Sequence, residues 1–268
     1  MNKTEQRNII INSSLLFIVA SIIEMTFHEA GHYIAAMLTG AKEISLHHNY
    51  VMSNSDDLSL TAKIFEKAAG PLVSLFIGIL FHIFCMKQTK RNLLFLFKLY
   101  MAVFGYIGVL GYLLISPFFT SGDTGYICYV LNFPLWLTSL IALTGGIIAF
   151  LLMRNLMKYF VEMGTAEIAT NLNLRQIFIP ALILYPLFIG IIVTTLLNLP
   201  VLTPLSLIAP LTSPFTIMWA YGYALKQKYP TTMMNKDLSS ISRIDYKWII
   251  VFVLIVIVNR LLVNGFGI

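Results

Sequence analysis

Seven stretches of this chain, 9–38, 68–86, 93–118, 126–152, 177–198, 202–225 and 248–265, are apolar over a length that crosses a hydrocarbon layer about 30 Å thick. No other feature constrains the fold as strongly. In lipid every backbone N–H and C=O must find its partner within the protein, which leaves helices or closed barrels. Runs of this length read as helices. The composition agrees, with 58% hydrophobic residues, 11% charged residues and a mean hydropathy of +0.81, where a soluble domain carries roughly 25% charged residues. The expected fold is an all-α polytopic membrane protein of six to seven transmembrane helices, built as one domain over 1–268. Pro134 interrupts the fourth run. Pro204, Pro210 and Pro214 predict a kinked or broken sixth.

The net charge of +6 carries no nucleic-acid signature, because the basic residues fall in short segments between apolar runs rather than in a stripe interleaved with aromatics. Their distribution instead predicts orientation. With the N-terminus cytoplasmic, the inner segments hold most of the Lys and Arg, and the outer ones hold Lys42, Lys63 and Lys67, with Arg260 near the last helix end. An integral protein of the cell membrane is expected, its N-terminus inside and its C-terminus outside. The first run is long for a signal peptide and is expected to be retained. Cys85 and Cys128 fall in different apolar regions and read as free, buried thiols.

Between the first two runs the pattern changes. Ile44, Leu46, His48, Tyr50 and Met52 alternate with other residues, Ser53–Asp57 is rich in turn formers, and Leu58, Leu60 and Ala62 alternate again. Period two on either side of such a cluster predicts a β-hairpin.

The chemistry of the chain is concentrated in His28-Glu29-Ala30-Gly31-His32, within the first run. Histidines four apart on a helix lie about 6 Å and about 40° apart, so both rings can hold one metal ion from one face. Glu29 stands on a neighbouring face, able to act as a base without ligating. Ionisable groups inside a lipid-embedded helix are costly and normally functional. A catalytic zinc needs a third protein ligand. Asp123, in Ser121-Gly122-Asp123-Thr124-Gly125, falls at the same level, either at the outer end of the third helix or at the start of the fourth. It is the first candidate, although the same stretch also reads as an ordinary turn. Glu24, one turn before His28, is a second, and equally a group that orients His28 from behind. His47 and His48 read as surface histidines, and His82 as a packed polar residue.

These residues carry a resemblance. Phe27-His28-Glu29-Ala30-Gly31-His32 in a first membrane helix resembles the site-2 protease family of intramembrane zinc metalloproteases. Ala69-Gly70-Pro71-Leu72-Val73-Ser74 looks like that family's Gly-Pro motif, with Ser74 where the family usually has Asn. Asp123-Thr124-Gly125 resembles its Asp-Gly ligand motif with Thr124 inserted. The likeness covers the first half of the chain, 9–152, as a metalloprotease core; 153–268 supply further helices of unassigned role. It implies one Zn2+ per chain on His28, His32 and Asp123, with Glu29 as the catalytic base. Gly70, Pro71 and Ser74 are then placed near the substrate, and the strands after the first helix pair with it. The substrate would be a membrane protein or peptide cut within or beside its membrane segment, with the lipid bilayer as surroundings. Rival readings are a transporter, which needs ionisable residues spread along several helices, and a membrane protein that binds peptides without cutting.

Overall fold

The computed structural model describes residues 1–202, 207–230 and 233–267. Helix α1 (Lys3–Thr39) begins in a capping box formed by Asn2 and Glu5, and ends at Gly40, whose φ of 80° is a left-handed cap that favours glycine. Strands β1 (Lys42–Leu46) and β2 (Val51–Asn54) follow, then α2 (Leu60–Lys87), α3 (Leu93–Ile115), the short α4 (Asp123–Val130) and α5 (Leu135–Glu162). The second half contains α6 (Ala166–Thr170), α7 (Leu172–Leu182), α8 (Leu184–Leu197), α9 (Ile208–Thr212), a 3-10 stretch Ser213–Ala220, α10 (Tyr221–Lys226), α11 (Ser239–Ser242), α12 (Tyr246–Leu261) and β3 (Phe266–Gly267). Among the described residues six helical segments are long and apolar enough to cross a bilayer, those of an integral membrane protein.

Helix α1 runs through the middle, packed by α2, α3, α7, α8, α11 and α12. Leu16, Phe17 and Ala20 of α1 meet Leu99 and Tyr100 of α3 and Leu182 of α7 in a fully buried core. Glycines bring the helices close: a Cβ at Gly105 of α3 would collide with the backbone nitrogen of Gly78 in α2, and one at Gly31 would lie 2.9 Å from Val73 Cγ2. The break between α7 and α8 follows from Pro186, which has no N–H for the Leu182 carbonyl. The buried Tyr100 hydroxyl donates to that carbonyl at 2.6 Å instead.

The two ends of the bundle differ. At the N-terminal end Arg91 pairs with Glu162 at 2.7 Å. Here too Asn12 Nδ2 donates to the Ile241 and Arg243 carbonyls, and Arg175 donates to those of Leu225 and Gln227. The opposite end carries the sheet, of order β2-β1-β3, together with Arg260, which donates to the Leu199 carbonyl. Among the described residues seven segments run between the two ends, the six long helical ones and 207–226. The pass over 207–226 is made of short helices and a 3-10 stretch rather than one long helix, in keeping with Pro210 and Pro214; Pro204 lies outside the described residues.

Two expectations need correction. The fourth run starts as a helix at Leu135 and not at 126, because Pro134 sets its beginning and residues 123–130 form the separate α4; the helix then extends to Glu162. The hairpin turns at 47–50, not at Ser53–Asp57: the His47 N–H donates to the Tyr50 carbonyl and the two rings stack. Leu60 and Ala62 belong to α2, whose N-cap is Ser59. A third strand, β3 from the chain's end, pairs with β1 through Ser45–Gly267 and Leu46–Phe266. Replacing Gly105 with Ala forces backbone apart where α2 and α3 touch. It should destabilise the detergent-solubilised protein by about 1–3 kcal/mol, read as a lower midpoint in thermal or denaturant unfolding.

Candidate metal centre

His28 and His32 project from the second half of α1 towards the first residue of α4, Asp123. Their three ligand-type atoms, His28 Nε2, His32 Nε2 and Asp123 Oδ2, form a triangle with every side 3.2 Å. Bonds of about 2.0–2.1 Å at tetrahedral angles separate neighbouring ligand atoms by about 3.3 Å, so the triangle matches three corners of a metal's coordination shell. It is a cluster of metal-ligating type found among the described residues.

The hydrogen bonds behind the rings fix how each imidazole is turned. His32 Nδ1–H donates to the Glu66 carbonyl at 2.6 Å, and a carbonyl only accepts. His28 Nδ1–H donates to Ser74 Oγ at 2.9 Å, and the Ser74 hydroxyl donates onward to Glu24 Oε1 at 2.5 Å. With each Nδ1 proton committed, a neutral imidazole at either position presents its Nε2 lone pair, as the Asp123 carboxylate presents its own. Three ligand-type atoms thus face one point, in a place where Glu24, Glu29 and Asp123 are all buried. A cation there offsets the buried negative charge.

Local sequence explains the placement. A Cβ at Gly70 would occupy the His32 ring, and one at Gly108 of α3 would strike Glu24 Oε1. Pro71, inside α2, has no N–H for the Lys67 carbonyl. Gly125, two residues after Asp123, is required because a Cβ would overlap the Phe119 carbonyl; it lets α4 start against the preceding turn and bring Asp123 in. The buried Glu66 side chain accepts from Thr39 Oγ1 at 2.5 Å and Ser55 Oγ at 2.8 Å, tying the end of α1 and the loop after β2 to α2.

Glu29 lines, with His32 and Asp123, a cavity of about 730 Å³ that β2 borders on its other side. Since β1 is paired on both edges and β2 on one, the second edge of β2 has no strand partner among the described residues. Gly70 and Pro71 are buried, Gly70 against the His32 ring, and Ser74 is fully buried, in contact with His28 and Glu24. Glu24 takes the position behind His28 rather than a corner of the triangle. His48 is buried, not at the surface: it bonds the Asn198 carbonyl at 3.0 Å because the hairpin turn tucks it under the α8 end, and burial holds its pKa below the ordinary value. His47 Nδ1–H donates to the Val263 carbonyl. His82 shares a hydrogen bond with the Tyr106 hydroxyl at 2.9 Å.

Two further residues belong to the site. Tyr112 stacks on His28 with ring centres 5.3 Å apart, and Lys67 Nζ lies 4.0 Å from Asp123 Oδ1. Lys63, Glu66, Lys67, Gly70 and Ser74 follow helical spacing along one face of α2, a signal present in the sequence. Tyr112 gave none, since its place depends on how α3 and α4 fold together.

Comparison with protein-family models, with curated proteins and with solved structures finds no match to this chain.

Replacing His28, His32 or Asp123 with Ala should remove tightly bound divalent metal from the purified protein. Ser74→Ala, which leaves all three ligands in place, should weaken metal affinity about 10- to 100-fold, measured by competition with a chromogenic chelator.

Proposed function

We propose that this chain is a membrane-embedded zinc metalloendopeptidase that cuts membrane proteins or peptides within or next to their membrane segments. The observation that carries the reading is the triangle of ligand-type atoms, 3.2 Å on each side, with the carboxylate of Glu29 in the adjoining cavity. Two imidazoles and one carboxylate are a donor set suited to zinc, and three protein ligands leave the fourth position that a catalytic site keeps open.

His28, His32 and Asp123 would hold the ion, which when bound supplies Lewis-acid activation of water and of the scissile carbonyl. Glu29 takes the proton from the attacking water and returns it to the leaving amide nitrogen. Ser74 and Glu24 keep His28 in the tautomer and orientation this needs, and the Glu66 carbonyl does the same for His32. A peptide bond in a helix is screened by its own hydrogen bonds, so the substrate must unwind before it is cut. The open edge of β2, Val51–Asn54, borders the same cavity and suits an extended segment docking as an added strand.

The distribution of basic residues favours an N-terminus in the cytoplasm, with the sheet end outside the cell membrane. The first-half motifs that resemble site-2 proteases agree with the activity.

Glu29→Gln should lower cleavage of a liposome-inserted single-span peptide about 10²- to 10⁴-fold while leaving metal content unchanged. Chelation should abolish cleavage and zinc should restore it. Cleavage at the native rate by Glu29→Gln protein would refute the proposal.

A further inference from the structure

Behind His28 lies a second cavity, of about 200 Å³, that the reaction outlined above leaves unused. Its walls come from α1, α3 and the broken sixth pass, with Thr194 of α8 and Asn259 of α12 at the margin, and include Ile22, Phe104, Ile107, Pro214 and Trp219. Glu24 and His28 also face it, but each is already engaged with Ser74. The space is therefore largely apolar in what it offers a guest. Met25, Tyr112 and Ile115 border both cavities. Met25 stands four residues before Glu29 on the same helix, and Tyr112 stacks on His28. The two spaces thus meet beside the proton-transferring carboxylate.

Size separates their roles. Clefts that hold a whole ligand run to about 300–1,000 Å³, a range that includes the main cavity and excludes this one. An apolar cavity of about 150 Å³ nevertheless admits a benzene ring. The volume behind His28 suits one large side chain and nothing longer.

Resting on the protease reading above, we infer that this cavity receives a single large apolar side chain, aromatic or branched aliphatic, from a substrate residue flanking the cut bond, and that Gly111 sets its depth. The two glycines of α3 in its wall are not equivalent. A Cβ at Gly108 would strike Glu24 Oε1 and lie 2.7 Å from Ser74 Oγ, disturbing the groups that hold His28. A Cβ at Gly111 meets only Ser213 Cβ, at 3.7 Å, an ordinary contact. A larger residue at 111 therefore fills the pocket without moving backbone, and Trp219→Ala, at another lining position, enlarges it.

The test uses the full-length protein in liposomes with single-span peptides whose cut site is located by mass spectrometry. Trp, Phe, Leu, Ala or Ser is placed in turn at each of the two flanking positions. At one of them Phe or Leu should be favoured over Ala or Ser by about 10- to 100-fold in kcat/KM, the scale set by burying one such side chain. Gly111→Leu, at native metal content, should remove most of that preference, and Trp219→Ala should shift it towards Trp. Cleavage without preference at either position, or preference unchanged in both variants, overturns the pocket assignment and leaves the protease reading standing. Should Gly111→Leu lose its metal, the Trp219→Ala profile decides alone. No cleavage of any peptide by the unaltered protein removes the protease reading, and the pocket assignment with it.

Discussion

Three atoms of metal-ligating type, held 3.2 Å apart inside an apolar bundle, set the terms for everything around them. None is free to turn away. Each imidazole is committed through its Nδ1 proton, one to Ser74 and one to the Glu66 carbonyl, and Asp123 is fixed as the first residue of α4. The surrounding sequence makes this arrangement reachable: Gly70 makes room for one ring, Gly108 makes room for Glu24 behind the other, and Gly31 lets α1 and α2 approach. Preorganisation of this kind is what a coordination shell or a catalytic cluster requires, since the groups need not rearrange when the ligand arrives.

The irregular backbone is distributed to match. Non-helical chain at membrane depth is tolerated only where protein covers it or a polar cavity receives it. In this structure the hairpin, the short α4 and the broken pass after α8 lie at or reach the end of the bundle that holds the triad, and all contribute to the walls of its cavity. The other end is closed by side chains bonding backbone and one another: Arg91 with Glu162, Arg175 with the α10 end, Asn12 with α11. One end is thus built to be occupied and the other to be sealed. The C-terminal strand adds to this by pairing with β1, which leaves β2 as the edge facing the cavity.

The six long helices were legible in the sequence because hydropathy over a bilayer's thickness is a local property, and so was the placing of His28 and His32 on one face, which follows from helical spacing alone. Asp123 was reached by matching levels in the membrane rather than by spacing, a weaker inference that the triangle supports. The hairpin was misregistered because alternation continues through His47–Tyr50, where stacking of the two rings makes the turn, while Leu58–Ala62 alternate by chance at a helix start. The addition of β3 and the stacking of Tyr112 on His28 depend on chain ends and helices meeting in space, for which a sequence pattern holds no signal. Glu24 was readable as a costly carboxylate with a purpose, but its link to His28 runs through Ser74 on another helix.

That link bears on the residue at position 74, for which Asn is a useful comparison. An Asn amide carries both an acceptor, for the His28 Nδ1 proton, and donors of its own that water or backbone can take. A serine hydroxyl also accepts, but its single proton must then be given away, and in a fully buried position an unmet hydroxyl is costly. Glu24 Oε1, 2.5 Å from Ser74 Oγ, takes that proton. The carboxylate one turn before His28 and the serine three residues after Pro71 are therefore two halves of one device. Gly108 completes it, because any side chain on α3 at that point would displace Glu24. Three residues on three helices are thereby coupled to a single imidazole, so the identity of each is constrained by the other two and by the requirement that His28 keep its Nε2 lone pair facing the site.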